Sequence, residues 1–168
     1  MAYTRAQFLL GLLWLAPISG CGDGEHEVPA PPSVIIGTGE AEFEAMEGEP
    51  TIELAAGFQG GFHVWVSFLA YGFDQARIDV ELFTEVDGDT GSRLKLGGPL
   101  KFVPAIDNQG QSVYTLAGYP GQIKNARCAN GKRVHLEATV SDASGRSAHD
   151  ERYCIVTLDE KYRSQNCQ

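Results

Sequence analysis

Between residues 34 and 158 the chain alternates apolar with polar residues, and turn-forming residues interrupt the alternation about every ten to thirteen positions. Residues 62–71 are apolar on both faces, which is typical of a central strand. Residues 77–82 and 133–140 are apolar on one face only, and the turn after the second segment predicts that residues 147–158 return beside it. This pattern predicts an all-β protein, a single antiparallel sandwich of about seven strands.

The N-terminus has a different composition, because the apolar run 8–18 follows a segment whose only charged side chain is Arg5. Small residues and then Cys21 end the run, which is the layout of a secretory signal. The run is shorter than the roughly 18 residues of a membrane-spanning helix, and Pro17 would interrupt such a helix. We therefore expect export from the cytoplasm. One form of the exported protein is attached to a membrane by an anchor, as described next. The alternatives are plain secretion and a single membrane span.

The sequence Ile18-Ser19-Gly20-Cys21 resembles the lipobox of bacterial lipoproteins. This resemblance implies that residues 1–20 are a cleaved signal peptide and that the Cys21 sulfur is acylated, with palmitate among the expected chains. The acyl chains would then attach the protein to a membrane. Gly22 stands where Asp retains Gram-negative lipoproteins at the inner membrane, which implies the outer membrane. The expected location is the cell envelope, facing the periplasm or the cell surface.

The mature chain is expected to form one domain, since removing 20 of the 168 residues leaves 148. Residues 21–33 are acidic and rich in proline, which predicts a disordered tether, and residues 159–168 are interpreted as a polar tail. The full chain has 22 acidic and 13 basic side chains and a net charge of −9. Because such a chain repels phosphate backbones, we expect no nucleic-acid partner.

Several segments of the domain resemble a group of uncharacterised lipoproteins of myxobacteria and their relatives. They are residues 37–54 (GTGEAEFEAMEGEPTIEL), 57–66 (GFQGGFHVWV) and 71–74 (YGFD). Residues 139–147 match the same group and are similar to the closing hairpin of immunoglobulin-like modules. The resemblance implies an immunoglobulin- or fibronectin-III-like sandwich over residues 34–158 and an envelope location. The group has no established activity to transfer.

The cysteines predict one disulfide outside the cytoplasm, because acylation of Cys21 leaves Cys128, Cys154 and Cys167. If the terminal hairpin turns at residues 143 and 144, Cys154 lies across from Arg133. The turn at residues 130 and 131 would then fold Cys128 back towards it. We therefore favour the pair Cys128–Cys154, while a bond from Cys167 to either cysteine stays open.

The most unusual local feature is the glycine-rich tract that precedes the central strand. Its glycines can bring backbone close to a partner, and a histidine and a tryptophan follow at once. We interpret this tract as a candidate ligand loop that comprises Gln59, Gly60, Gly61, His63 and Trp65. The alternative is a tight strand connection followed by a core tryptophan.

Three histidines offer an alternative function, a small periplasmic metal-binding domain. His63, His135 and His149 could converge on a metal if their strands were neighbours, although their spacing matches no metal motif. The sequence also contains no GxSxG, P-loop, HExxH or GxGxxG motif. We therefore predict no enzymatic activity, no cofactor and no metal site. The expected function is a lipid-anchored binding or structural module whose partner is an envelope protein or a glycan.

Overall fold

The computed structural model describes residues 30–57 and 60–163, which form eleven strands and one short α-helix. The elements are β1 Ser33–Thr38, β2 Glu44–Ala45, β3 Thr51–Glu53, β4 Ala55–Ala56, β5 Phe62–Tyr71, β6 Arg77–Val86, β7 Leu94–Lys101, β8 Val103–Ile106, β9 Ser112–Ile123, β10 Arg133–Ser141, β11 Ser147–Thr157 and α1 Glu160–Arg163. In this part of the chain no helix has the length and apolar character needed to cross a membrane. The predicted signal peptide, Cys21, most of the tether, Gln59, Cys167 and the end of the tail lie outside the described residues.

The strands form two sheets packed face to face. Sheet A has the order β2-β1-β5-β9-β8, with β4 beside the start of β5, and sheet B has the order β3-β11-β10-β6-β7. All pairings are antiparallel except that of β3 with β11. The series β1-β5-β9-β8 and β11-β10-β6-β7 reproduce the immunoglobulin strand orders A-B-E-D and G-F-C-C′. The predicted all-β, immunoglobulin-like sandwich is therefore confirmed.

The predicted number of about seven strands is too low, because the described residues contain eleven. Three of the additional strands, β2, β3 and β4, have only two or three residues each and cannot show a period of two. The remaining difference lies at Phe102, which separates β7 from β8. At this fully buried residue the chain passes from the edge of sheet B to the edge of sheet A. One extended segment thus supplies two strands.

The core lies between the sheets and is built from alternate residues of the long strands. On β5 the inward side chains are Phe62, Val64, Val66, Phe68 and Ala70, all at most 7% exposed. The outward side of the same strand is also buried or half-buried, which confirms the prediction of a central strand. On β6 and β10 every second residue is buried. These faces agree with the sequence pattern.

The terminal hairpin corrects the predicted disulfide. Cys154 pairs with Val134 rather than with Arg133, and a shift of one residue moves a side chain to the opposite face of a sheet. Cys154 is therefore a buried free thiol in the core, and burial, with a smaller effect from Glu49, raises its pKa to about 12. The predicted pair Cys128–Cys154 is wrong. Cys128 is disulfide-bonded, but not to Cys154, because Cys154 is a free thiol.

The segment predicted as a polar tail contains the helix α1. The Asp159 side chain begins this helix by accepting a hydrogen bond from the backbone N–H of Lys161 at 3.0 Å. Tyr162 then packs its ring against Phe62 at a centroid distance of 5.0 Å. A single aromatic side chain therefore fixes the helix on the end of the sandwich.

One hydrogen bond joins the two sheets along the open side of β1. The backbone N–H of Ile36 donates to Oδ2 of Asp150 on β11 at 2.8 Å. The same oxygen accepts a bond from Nε of Arg152 at 3.0 Å. Next to this contact, β2 pairs with Gly37 and Thr38. The edge of β1 is thus partly closed by a carboxylate from the opposite sheet.

Candidate ligand-binding site

The glycine-rich tract forms a tight turn between β4 and β5. The N–H of Gly57 donates to the carbonyl of Gly61 at 2.8 Å, and the N–H of Gly60 donates to the carbonyl of Gly57 at 3.0 Å. Gly60 has a φ of 80°, in the left-handed region that favours glycine. Of the predicted loop, Gln59 lies outside the described residues. The turn therefore holds exposed backbone next to the first residues of β5.

A loop formed by residues 39–42 packs over the middle of the outer face of sheet A. The Ser67 hydroxyl on β5 donates to the carbonyl of Gly39 at 2.9 Å, and the N–H of Gly118 on β9 donates to the same carbonyl at 3.2 Å. Gly118 has a φ of 69°, and a Cβ there would lie 2.3 Å from the carbonyl oxygen of Glu40. This close approach explains why a glycine interrupts β9 at this point. It also shields the outward side chains of β5 from solvent.

His63 lies between this loop and the glycine turn. Its side chain points to the outer face of sheet A, yet the residue is only 9% exposed. The imidazole makes a T-shaped contact with Trp65 at a centroid distance of 4.2 Å. Its Nε2 is buried and has no hydrogen-bond partner among the described residues. An unsatisfied buried polar atom costs about 1–3 kcal/mol, so this nitrogen calls for a functional explanation.

Trp65 is half-buried on the outer face and is not part of the core cluster. Its backbone carbonyl accepts a hydrogen bond from the hydroxyl of Thr38 at 2.9 Å. The alternative interpretation of this residue as a core tryptophan is therefore wrong. The structure places Gly60, Gly61, His63 and Trp65 at one end of sheet A, as the sequence predicted for a loop and its adjoining strand.

A cavity of about 540 Å³ opens beside His63. Its walls include Gly57, Gly61, Leu94, Gln122 and Lys124. Gln122 is the direct cross-strand neighbour of His63, and Nζ of Lys124 donates to the carbonyl of Gly91 at 2.6 Å. The volume lies within the range of small-molecule sites.

The sequence does not predict the residues that β7, β9 and the segment after β9 contribute to the walls of this cavity. Leu94, Gln122 and Lys124 follow His63 by more than thirty residues, and nothing in the local sequence marks them. Only the pairing of β5 with β9, and the position of β7 at the edge of sheet B, brings them together. A contact of this kind cannot be found without the strand order.

The electrostatics of the cavity keep His63 neutral at pH 7. Burial lowers the pKa of its imidazole, and the nearby carboxylate of Glu40 opposes this effect only in part. A neutral imidazole carries one donor nitrogen and one acceptor nitrogen. The site can therefore offer a ligand either kind of hydrogen bond from an apolar surrounding, together with the ammonium of Lys124.

The free energy of unfolding is expected to decrease as the pH falls below about 6.5, because the unfolded chain protonates His63 before the folded chain does. The stabilisation is complete above the unfolded pKa and is lost as the pH falls towards the lowered folded value. Urea unfolding between about pH 7.5 and pH 5 measures this slope. His63→Gln should flatten it, whereas Gln75→Ala, at an exposed position without a titrating group, should leave it unchanged. If the stability of His63→Gln depended on pH as steeply as that of the wild type, the slope would not be due to His63.

The structure does not bring the three histidines together. His135 and His149 lie on the outer face of sheet B, on strands β10 and β11, whereas His63 lies on sheet A. Nε2 of His135 contacts Oε2 of Glu151 at 3.1 Å, and Nε2 of His149 lies 3.5 Å from Oε1 of Glu137. Within the described residues, no group of three or more His, Cys, Asp or Glu side chains is placed to hold a metal. The condition for the alternative metal site, that these three strands are neighbours, is therefore not met.

No protein-family model matches the chain, and no curated protein is significantly similar to it. The function therefore has to be argued from the site itself, since a fold alone does not specify an activity. The features available for that argument are the glycine turn, the neutral His63 and the cavity between them.

Proposed function

We propose that this chain is a lipid-anchored protein of the bacterial cell envelope, with an immunoglobulin-like domain that acts as a non-catalytic binding module. The observation that carries the binding role is the buried, unpartnered Nε2 of His63 beside a cavity of about 540 Å³. A bound group that completes the hydrogen bonding at this end of sheet A would offset the cost of that nitrogen. The lipobox-like segment ending at Cys21 supports the anchor.

The chemistry around His63 favours binding over catalysis. In the described part of the chain, its ring contacts Trp65 and has no hydrogen bond to a carboxylate, a serine or a cysteine. A general base needs such an orienting partner and a reacting group within reach. Glu40 acts on the ring through a Coulomb interaction and not through a hydrogen bond. The arrangement therefore suits recognition of a partner's polar group.

The anchor is tested by expressing the full chain in a Gram-negative host with labelled palmitate. The wild-type protein should carry the label and sediment with the outer membrane, whereas Cys21→Ala should lose the label and its membrane association. Cys154→Ala is the matched control, because Cys154 is a buried free thiol far from the lipobox in the sequence. Equal labelling of wild type and Cys21→Ala would contradict the proposed anchor.

The binding role is tested by capture from native envelope membranes with the full-length protein. We expect a specific partner that is recovered with wild type and with Cys21→Ala, and lost with His63→Leu. His135→Leu is the matched control, since His135 lies on the opposite sheet and contacts the exposed Glu151 there. Circular dichroism of each variant verifies folding. A partner that His63→Leu retains would move the binding role away from this cavity, and recovery of no specific partner would contradict it.

A further inference from the structure

We propose that a second concave surface, at the opposite end of the outer face of sheet A, binds a neutral oligosaccharide. It is a groove of about 1000 Å³ between β1, β5, β8 and β9, and we call it the sheet A groove. The proposal goes beyond the function proposed above, because it gives the domain a second binding surface. It uses neither the His63 cavity nor the lipid anchor.

The floor of the sheet A groove is apolar. Ile35 on β1 lies beside Leu69 on β5, and Tyr71 continues the same face of the strand. These three side chains are half-buried, so each leaves part of its apolar surface open to the groove. Aromatic and aliphatic surfaces of this kind bind the apolar faces of sugar rings, which carry only C–H groups.

The rim of the groove is polar and uncharged. Six neutral side chains with hydrogen-bonding groups contribute to it: Ser33, Asn108, Gln109, Gln111, Ser112 and Thr115. Within the described part of the chain, none of these side chains has a hydrogen-bond partner in the protein. Amides and hydroxyls both donate and accept, which matches the alternating donors and acceptors of sugar hydroxyls.

Asp107 is the only charged residue among the described residues that line the groove. Its carboxylate is already occupied, because Oδ1 accepts hydrogen bonds from the N–H groups of Gln109 and Gln111, each at 2.8 Å. Oδ2 accepts a bond from the hydroxyl of Tyr71 at 3.1 Å. These contacts shape the tip of the β8–β9 hairpin and hold Asn108 and its neighbours at the rim. Asp107 therefore positions the rim and does not need a cation.

The charge distribution selects a neutral ligand. The full chain has a net charge of −9, and the outer face of sheet B carries ion pairs such as Arg93–Glu137 and Lys95–Glu81. Among its described lining residues, the sheet A groove has no lysine or arginine to bind an acidic polymer, and the one carboxylate, of Asp107, is internally bonded. Its volume is at the upper limit for small-molecule sites, which suits a short oligosaccharide.

The experiment applies the full-length protein to a printed array of neutral and acidic oligosaccharides. Binding to neutral glycans is expected for wild type. Asn108→Ala/Gln111→Ala should bind about ten-fold or more weakly, because two hydrogen bonds to the ligand are lost. Both positions are exposed, so the double variant should fold normally. Gln75→Ala, an exposed amide that does not line the groove, is the matched control and should bind as wild type does.

Three outcomes would overturn the proposal: binding to acidic glycans only, no glycan binding, or glycan binding that the double variant retains. Light scattering across a concentration series detects a further occupant, a second copy of this chain. A dimer that Leu69→Asp abolishes would assign the groove to self-association and would also overturn the proposal. Failure here is distinguishable from failure of the binding role, because capture of a His63-dependent partner does not depend on the groove.

Discussion

Asp142→Ala is expected to lower the free energy of unfolding by about 2–4 kcal/mol, because this carboxylate organises the turn between β10 and β11. Oδ1 of Asp142 accepts hydrogen bonds from the N–H and the hydroxyl of Ser144 at 2.9 and 2.5 Å, and from the N–H of Arg146 at 3.2 Å. Oδ2 accepts a bond from Nε of Arg146 at 3.3 Å, and the side chain is fully buried. Alanine would remove the buried acceptor that these donors share.

The pH dependence gives a second readout for Asp142. Hydrogen bonds, first of all from the Ser144 hydroxyl, lower its pKa from 3.8 to about 2. A lowered pKa stabilises the folded state above the unfolded value, and this stabilisation is lost as the pH falls through the folded value. The difference between wild type and Asp142→Ala should therefore be complete at neutral pH and shrink below about pH 4.

Urea unfolding of Asp142→Ala and Asp79→Ala measures the effect. Asp79 is the matched control, because it is an exposed aspartate at the same end of the sheet, on β6 opposite Ser141. Its replacement should change the stability by no more than about 0.5 kcal/mol. A loss of similar size in both variants would show that the Asp142 hydrogen bonds do not stabilise the turn.

Gly97→Ala is expected to destabilise the protein by about 3 kcal/mol or more. Gly97 lies on β7 with a φ of 136°, and a Cβ there would lie 1.9 Å from the carbonyl oxygen of Val80 on β6. The contact is with backbone, so no side-chain rotation can relieve it. Alanine would force β7 away from β6 and break part of their hydrogen bonding.

The neighbouring Gly98 separates the steric clash from backbone strain. Its φ of 139° is nearly the same, yet a Cβ there would have no atom within 4 Å. Gly98→Ala should therefore show only the cost of the left-handed conformation, about 1–3 kcal/mol, and Gly97→Ala a clearly larger loss. Thermal and urea unfolding of the two variants test this difference. Equal losses would mean that the close approach to Val80 does not limit this strand.

The long strands could be predicted because each buries one or both faces against the core. β5 begins and ends where the apolar run 62–71 does, and β10 and β11 lie within one residue of their predicted limits. Burial forces the period of two into these segments. By contrast, β2 to β4 contain no more than three residues each, and their pairing is set by neighbours that the local sequence does not reveal.

The register of a hairpin was harder to predict than its existence. The turn at residues 142–145 was recognised, but placing its centre half a residue too early put Cys154 opposite Arg133 rather than Val134. A shift of one residue in the register changes Cys154 from an outward position to a buried one. For that reason the predicted disulfide is wrong. A cysteine between apolar residues gives no signal that distinguishes a core position from a bonded one.

The candidate site was only half predictable. The glycine tract and His63 lie close together in sequence, so they could be recognised as one feature. The residues around His63 could not be recognised, because Glu40 comes from the loop before β2, and Gln122 comes from β9. That the ring lacks a partner depends on the folded arrangement of all these segments.

The bond from Ile36 to Asp150 matters when many copies share one membrane. Tethers of equal length would hold the proposed anchored domains at the same height, so identical strand edges of neighbouring molecules would meet. An open edge invites pairing between molecules. Asp150 accepts the hydrogen bond of the Ile36 N–H, and β2 pairs with the next two residues of β1. These contacts shorten the row of unpaired backbone groups that a neighbouring molecule could use. On such a membrane, one carboxylate would help neighbouring copies to remain separate molecules.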